Sequence, residues 1–103
     1  MLFSDPFVGK EHGYLDRWES DDVFLYCGEG QQGDQTLDQG NGAILNHRRE
    51  GRTLRVFEGS SGTVTYAGEF EIAHGQPYLW ERAPASGGGP MRRVVMFRLV
   101  SSD

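Results

Sequence analysis

The sequence predicts a mainly β domain of the α+β class, with one or two short helices and a small, strongly bent sheet or barrel. Short apolar stretches are separated by glycine-rich turns, one longer stretch alternates regularly, and a single segment carries helix signals. Fifteen glycines against four prolines favour a turn-rich sheet, because glycine readily adopts the positive φ that tight turns need. The 103 residues have room for one hydrophobic core, so we expect a single domain over 1–103.

Five stretches rich in apolar residues predict the strands. The first ends in a glycine-spaced loop, and residues 59–62 are short enough to close a hairpin between the second and the third. Residues 83–90 predict a flexible loop before the last strand. The third stretch alternates, which predicts that one of its faces is formed by Val64, Tyr66, Gly68, Phe70 and Ile72. The predicted strands are 23–27, 54–57, 64–72, 76–82 and 92–100.

One helix is predicted over 41–51. Asn41 is a typical N-cap residue, basic residues lie where the C-terminal turn is expected, and Gly51 ends the pattern. Because Asp and Asn side chains bond readily to nearby backbone, we interpret Asp34 and Asn41 as residues that hold the loop and the helix start.

The composition argues against several kinds of site and location. Cys27 is the only cysteine, which excludes an internal disulfide and a cysteine-rich zinc cluster. The three histidines lie far apart without ligand spacing, so we expect no metal and no cofactor. No run of about 18 apolar residues and no signal-peptide pattern occurs, so we expect no membrane contact and a cytoplasmic, nucleoid-associated protein.

The charged residues are distributed unevenly along the chain. The net charge is −5, which by itself argues against a nucleic-acid partner. The basic residues, however, concentrate in 47–55 and 92–98, whereas the acidic residues concentrate in 16–38. The two basic groups therefore supply candidate phosphate-binding residues, which are Arg48, Arg49, Arg52, Arg92 and Arg93.

Residues upstream of the first predicted strand, and the loop after it, combine the groups that recognise a flat heterocycle. Aromatic faces stack on such a ring, a carboxylate accepts a hydrogen bond from an exocyclic amine, and glycine lets a ligand approach the backbone. The loop lacks the Gly-Lys-Ser/Thr ending of a phosphate-binding loop, and its acids would repel phosphate. The residues that combine these properties are Gly9, Gly13, Tyr14, Trp18, Asp21, Asp22, Tyr26, Gly28 and Gly30.

Five short motifs in order resemble the SET and RING-associated (SRA) domain. They read Glu-x-Asp-Asp-Val, Tyr-x-Gly-x-Gly, Asp-Gln-x-Leu-x-x-x-Asn-x-Ala, Gly-Arg-x-Leu-Arg-Val and Tyr-x-Gly-x-Phe. The resemblance covers most of residues 9–72 and is closest to the compact bacterial type, which is often joined to an HNH nuclease. In this sequence the motifs lie at 19–23, 26–30, 34–43, 51–56 and 66–70.

The resemblance implies a reader of 5-methylcytosine, or its hydroxymethyl derivative, that flips the base from duplex DNA into a pocket on a PUA-like barrel. In that family two aromatic rings sandwich the base and an Asp accepts from its amine. The implied pocket residues are Tyr26, whose neighbour Cys27 replaces a Thr, and Asp22. Trp18 is one residue away from the position where the family has its second aromatic, and Tyr14 is the alternative for that role. Gly9 would bring backbone near the base.

The resemblance also implies a loose sequence requirement. The family's long loop with an Asn-Lys-Arg finger, which fills the gap left by the flipped base, is absent; in its place the loop offers Gly28, Gly30, Gln31 and Gln32 near the DNA. Burial of one methyl group contributes only about 0.8 kcal/mol, so discrimination should be modest, about several-fold. We expect no catalysis, and the implied partners are modified duplex DNA and a nuclease.

Purely structural roles for the same residues also stay open. Tyr26 is also what a core strand would contain, Trp18 is equally a packing residue, and Asp21 is expected to be solvated. The alternative function is a PUA-like module that binds modified RNA or a small heterocyclic ligand. A small enzyme acting on cytosine derivatives is a third hypothesis, disfavoured because the cysteine pair of zinc deaminases is missing.

Overall fold

A computed structural model describes residues 2–4, 16–30, 32–60, 63–85 and 87–102. Within these ranges strands dominate, as the glycine-rich, β-branched sequence predicts. No helix among these residues is long and apolar enough to cross a bilayer. The elements are β1 (Leu2–Ser4), β2 (Arg17–Trp18), β3 (Val23–Cys27), α1 (Gln39–Leu45), β4 (Leu54–Ser60), β5 (Thr63–Ile72), β6 (Tyr78–Pro84) and β7 (Met91–Ser101).

The longest strand, β7, organises the sheet. The strand order is β1-β4-β5-β7-β3-β2, and every described pairing is antiparallel except that of β1 with β4. One edge of β7 pairs with β3, and its other edge pairs first with β6 and then with β5. Between β5 and β6 the chain turns a corner, where the Arg98 amide donates to the Pro77 carbonyl at 2.9 Å. Because two strands share one edge, the sheet is strongly bent.

Both faces of the sheet are apolar near its centre. Residues 94–97 of β7 are fully buried, because their side chains alternate between two clusters. The larger cluster includes Phe24, Phe70 and Phe97, and α1 covers it with Ile44 and Leu45. The smaller cluster on the other face is formed by Leu25, Cys27, Ala83, Val94 and Met96.

The predicted strands are confirmed, although β4 extends three residues further than expected, β6 begins and ends two residues later than expected, and the short strands β1 and β2 were missed. The predicted face of β5 is right for its second half, where Gly68, Phe70 and Ile72 are buried. It is wrong for Val64 and Tyr66, which are 59% and 50% exposed. The register with β4 shifts here: Val56 pairs with Gly68 but Phe57 pairs with Tyr66. This bulge leaves Ala67 without a partner in the ladder and places Tyr66 and Gly68 on opposite faces.

The predicted helix is displaced. It begins at Gln39, two residues before the expected cap, and ends at Leu45, so Asn41 lies inside the helix and Asp38 takes the N-cap position. The basic residues fall in turns after the helix, and Gly51 adopts φ of +70° there. Among them His47 is buried: its Nδ1 lies 2.9 Å from the Arg52 carbonyl, and its Nε2 accepts from the Ile72 amide at 3.1 Å.

Candidate nucleic-acid interface

A shallow cavity of about 540 Å³, wide open to solvent, lies beside the turn between β2 and β3, and its described lining residues are Trp18, Ser20 and Asp21. We call residues 17–22 the rim. Trp18 is 46% exposed, but its ring is held by an edge contact with Phe24, with ring centroids 5.0 Å apart, and by a tilted contact with Phe70. Its Nε1 donates to a Glu58 carboxylate oxygen at 3.3 Å. The rim therefore presents an aromatic side chain that is anchored yet accessible.

The turn that forms the rim carries three acidic residues. Glu19 is tied to β7, because the Arg98 guanidinium donates to its carboxylate at 3.0 Å, and this hydrogen bond lowers the pKa of Glu19 below its ordinary value. Asp21 and Asp22 are both exposed, and the Asp22 amide donates to the Ser20 hydroxyl at 3.3 Å. Asp21, which was expected only to be solvated, lines the cavity beside Trp18.

The structure brings Trp18 and Tyr26 to one face of β3. Trp18 lies directly opposite Phe24 in the β2–β3 pair, and Tyr26 is two residues further along β3, so all three side chains share a face. Tyr26 is half-buried and packs against the larger cluster. Cys27 lies on the opposite face of β3, and its thiol is buried there. Only the backbone of Cys27 is therefore available to a ligand on the Tyr26 face. Gly9, Tyr14 and Gln31 lie outside the described residues.

The loop after β3 is built around one buried amide. Gln35 is 3% exposed; its Nε2 donates to the Gly28 and Gly30 carbonyls at 2.7 and 3.0 Å, and its Oε1 accepts from the Val95 amide at 3.0 Å. A Cβ on Gly28 would lie 2.5 Å from a Val95 methyl group, so only glycine fits there without a shift. Gly30 adopts φ of +120°, a conformation that glycine tolerates.

A second buried amide and two further side chains complete this loop. Asn41 donates to the Glu29 and Thr36 carbonyls and accepts from the Glu29 amide at 2.7 Å. Asp34 accepts from the Arg93 amide at 2.7 Å, and the buried Arg92 guanidinium donates to the Gly30 carbonyl. We call residues 28–41 the loop scaffold. Asn41 was expected to cap the helix, whereas its side chain instead bonds to loop backbone.

The loop scaffold also borders a smaller, acidic cavity of about 320 Å³. Glu29, Asp34 and Asp38 contribute carboxylates to its lining, which makes it unsuited to phosphate. No cluster of three or more metal-ligating side chains occurs in the ranges that the structure describes. Gln32, expected near the DNA, is exposed on the same loop.

The five arginines expected to bind phosphate occupy different environments. Arg48 donates to the Ile72 carbonyl and lies 3.8 Å from Glu71, and Arg52 lies 3.6 Å from Glu50. Arg92 is only 4% exposed and is used inside the loop scaffold, which argues against a phosphate contact. Arg49 is exposed with no ion-pair partner among the described residues, and the exposed Arg93 guanidinium lies 4.2 Å from the centre of the Trp80 ring.

The family whose description is "ScoMcrA-like, SRA domain" matches residues 1–103. The chain belongs to the SRA-domain family. The resemblance predicted from the five motifs is therefore confirmed. No curated protein matches the chain at significant similarity.

Solved SRA-domain structures share the fold. A structure containing the sulfur-binding domain and SRA domain of ScoMcrA with phosphorothioated DNA has a TM-score of 0.71 and 25% identity, covering 96% of this chain and 29% of that one. The SRA domain of SUVH5 with methylated CHH DNA has a TM-score of 0.65 and 27% identity, covering 96% and 60%. The SUVH5 SRA domain bound to fully hydroxymethylated CG DNA has a TM-score of 0.65 and 26% identity, covering 96% of this chain and 61% of that one. The chain thus spans 60–61% of the SUVH5 chains and 29% of the ScoMcrA chain, less than two thirds of each. The prediction of a mainly β, PUA-like fold is confirmed.

The SRA motifs of this chain map unequally onto the structure. The motif at 34–43 contributes Asp34, Gln35 and Asn41, all three of which bond to loop or strand backbone. The motif at 19–23 forms the exposed turn of the rim. Sequence reasoning named the rim residues but missed Gln35 as the centre of the loop scaffold; its place in the motif was the available signal.

Proposed function

We propose that this SRA domain is a non-catalytic reader of modified cytosine, 5-methylcytosine or 5-hydroxymethylcytosine, in duplex DNA, and that it takes the flipped base into the cavity at the rim. The observation that carries the proposal is Trp18, an accessible and anchored indole at the wall of a cavity of about 540 Å³. Cavities of this order accommodate small ligands. The named relatives were solved with modified DNA, which supports DNA as the ligand.

The chemistry of the rim suits an extracted cytosine. Flipping costs a few kcal/mol of unstacking and unpairing, and aromatic stacking offsets about 1–3 kcal/mol of it per base. Trp18 is the proposed stacking partner, with Tyr26 on the same face of β3. The exocyclic amine of cytosine donates hydrogen bonds, and the carboxylates of Asp21 and Asp22 are the acceptors that the rim offers.

Phosphate contacts supply affinity that does not depend on the modification. In the proposal the exposed Arg49 and Arg93 contribute most, because neither has a carboxylate partner among the described residues. Arg48 and Arg52 contribute less, since each lies within ion-pair distance of a glutamate. Arg92 is left out because its guanidinium is buried in the loop scaffold.

The structures of the relatives contain two kinds of DNA modification, and we propose only one of them as the ligand of this domain. The SUVH5 complexes contain cytosine methylation or hydroxymethylation, whereas the ScoMcrA complex contains phosphorothioated DNA together with a separately named sulfur-binding domain. ScoMcrA is itself described as a restriction endonuclease, which supports a nuclease as partner of this domain. We assign the base modification to the SRA domain because the rim offers a stacking ring and carboxylates, and a carboxylate repels a phosphorothioate anion.

The proposal is tested by fluorescence anisotropy with four duplexes of identical sequence, carrying cytosine, 5-methylcytosine, 5-hydroxymethylcytosine or a phosphorothioate. Tighter binding to a modified base, by about several-fold, is expected from burial of one small group. Fluorescence of 2-aminopurine opposite the modified base should rise as the pair opens. Equal affinity for all four duplexes contradicts the proposal, and tighter binding of single-stranded modified RNA would favour the alternative module.

The carboxylates of Asp21 and Asp22 are distinguished by Asp21→Ala and Asp22→Ala, because an Asn side chain would keep an amide oxygen as hydrogen-bond acceptor. The family resemblance assigns the amine contact to Asp22, whereas Asp21 lines the cavity. The variant that removes the true acceptor should lose the preference for modified cytosine, and the other should keep it. Both side chains are exposed, so each variant serves as the stability control of the other. Retention of the preference by both variants contradicts a carboxylate contact.

A further inference from the structure

Two exposed arginines lie directly opposite each other on β6 and β7. Arg82 and Arg93 are partners in the register of the antiparallel pair, so their side chains leave the same face of the sheet. Like charges at directly opposed positions destabilise a strand pair. Folding alone therefore gives no reason for this juxtaposition.

The charge of this pair is also uncompensated. The structure describes nine arginines, of which Arg92 is buried and five lie within 4 Å of a carboxylate. Of the other three, Arg82 and Arg93 are adjacent. Asp34 accepts a hydrogen bond from the Arg93 backbone amide, but among the described residues no ion pair joins a carboxylate to either guanidinium. In a chain of net charge −5, this pair concentrates positive charge that the described carboxylates do not neutralise.

The surroundings of the pair fix its geometry. The Arg93 guanidinium lies 4.2 Å from the centre of the Trp80 ring, a cation–π contact that orients it without neutralising its charge. Met91, two residues from Arg93 on the same face of β7, is 53% exposed and extends the surface with an apolar side chain. Oriented guanidinium groups beside accessible apolar atoms suit a sugar–phosphate backbone, which alternates anionic and apolar groups.

We infer that Arg82 and Arg93, with Trp80 beneath Arg93, form a second DNA contact that binds backbone phosphates of the duplex whose base enters the rim. The inference rests on the proposed function. Along β7, Arg93 lies six residues from Leu99, the partner of the Phe24 on which Trp18 packs. Six residues span about 20 Å, which a duplex covers in about six base pairs. The patch therefore acts at a distance from the base and sets affinity rather than modification preference.

The test uses Arg82→Gln, Arg93→Gln and the double variant. Binding to methylated and unmodified duplexes is measured by anisotropy between about 50 and 200 mM salt. Each substitution should lower the slope of log affinity against log salt by about 1 and weaken binding of both duplexes by the same factor. Arg55→Gln is the matched control, because Arg55 is an exposed strand arginine 3.7 Å from Glu69, and it should leave both quantities unchanged.

Three outcomes separate the inference from the proposed function. A double variant with the slope and affinity of the unsubstituted protein overturns the inference, and an acidic protein would then be the occupant to consider. A reduced slope in a protein that never discriminates between duplexes overturns the proposed function but supports the patch. A double variant that loses only the modification preference also overturns the inference, because the patch would then belong to base recognition. Circular dichroism confirms that each variant folds.

Discussion

The loop scaffold and the rim are neighbours in sequence, yet they are built in opposite ways. In the loop scaffold the amides of Gln35 and Asn41 are each 3% exposed, and between them they bond to the backbone of five other residues. At the rim, Trp18, Asp21 and Asp22 are exposed. Three of the six polar side chains in the SRA motif at 34–43, those of Asp34, Gln35 and Asn41, therefore hold backbone in place, whereas the carboxylates of Asp21 and Asp22 at the rim face water.

Energetics explain why the two regions differ. A buried polar backbone group costs about 1–3 kcal/mol when it lacks a partner, so an irregular loop can be buried only if side chains bond to it. Gln35 and Asn41 meet that requirement for the loop scaffold. At the rim, Asp21 and Asp22 are solvated, so their carboxylates can exchange water for a base.

The largest expected effect is on stability, from Gln35→Ala. The substitution removes three hydrogen bonds to backbone, two of them to the buried residues Gly28 and Val95, whose carbonyl and amide lose this partner. We expect a loss of about 3 kcal/mol of unfolding free energy, measured by denaturant titration, or about 10 °C or more in melting temperature.

Gln76→Ala is the matched control for Gln35→Ala. Gln76 is exposed, and the bond described for it is made by its backbone carbonyl, to Arg98. Its substitution should change the unfolding free energy by less than about 0.5 kcal/mol. Equal effects from the two variants would show that the loop scaffold is not maintained by the buried amide, and the contrast with the rim would fail.

A smaller effect, on binding rather than folding, is expected from Trp18→Ala. Loss of base stacking should weaken binding of the modified duplex by about 1–3 kcal/mol, which is about 5-fold to 150-fold in affinity. Tyr66→Ala is the matched control: Tyr66 is 50% exposed and its ring centre lies 5.0 Å from that of Phe57, just as Trp18 lies 5.0 Å from Phe24. If the two variants bind equally well, Trp18 is a packing residue and the rim is not the site.

The strands were predictable because their signal is local, and the failures have long-range causes. Alternation predicted one face of β5, but the bulge in its pairing with β4 breaks the alternation before Gly68, so Val64 and Tyr66 leave that face and are exposed. Asp38 and Asn41 have similar cap preferences, so sequence alone does not choose between them. What decides is the bonding of the Asn41 side chain to Glu29 and Thr36.

The candidate site was predictable as a set of residue types but not as a geometry. Arg92 and Arg93 are adjacent in sequence and look alike there, yet strand alternation buries the first and exposes the second. The pairing of Arg93 with Arg82 depends on strand register, and the burial of His47 depends on contact with Ile72. Such relations between distant segments appear only once the sheet is assembled.

The smallest expected effect concerns the ion pair that ties the rim to β7. Hydrogen bonding to Arg98 lowers the pKa of Glu19 below its ordinary value of 4.5, so the carboxylate stabilises the folded state while ionised. That stabilisation is present above about pH 4.5 and is lost as pH falls through the lower folded-state pKa. Glu19→Gln should lower the denaturation midpoint slightly at neutral pH, and the difference from the unsubstituted protein should vanish in acid.

A double-mutant cycle makes this last effect specific. In an Arg98→Gln background the Glu19 carboxylate has lost its main partner and keeps only the weaker attraction of Arg17, so Glu19→Gln should change the pH dependence of the midpoint much less. If the full pH-dependent difference remains in that background, a group other than Arg98 causes it. Because both partners are accessible to water, the effect should also shrink at high salt, whereas that of Gln35→Ala should not. The salt dependence of stability therefore distinguishes the ion pair that holds the rim from the buried amides that hold the loop scaffold.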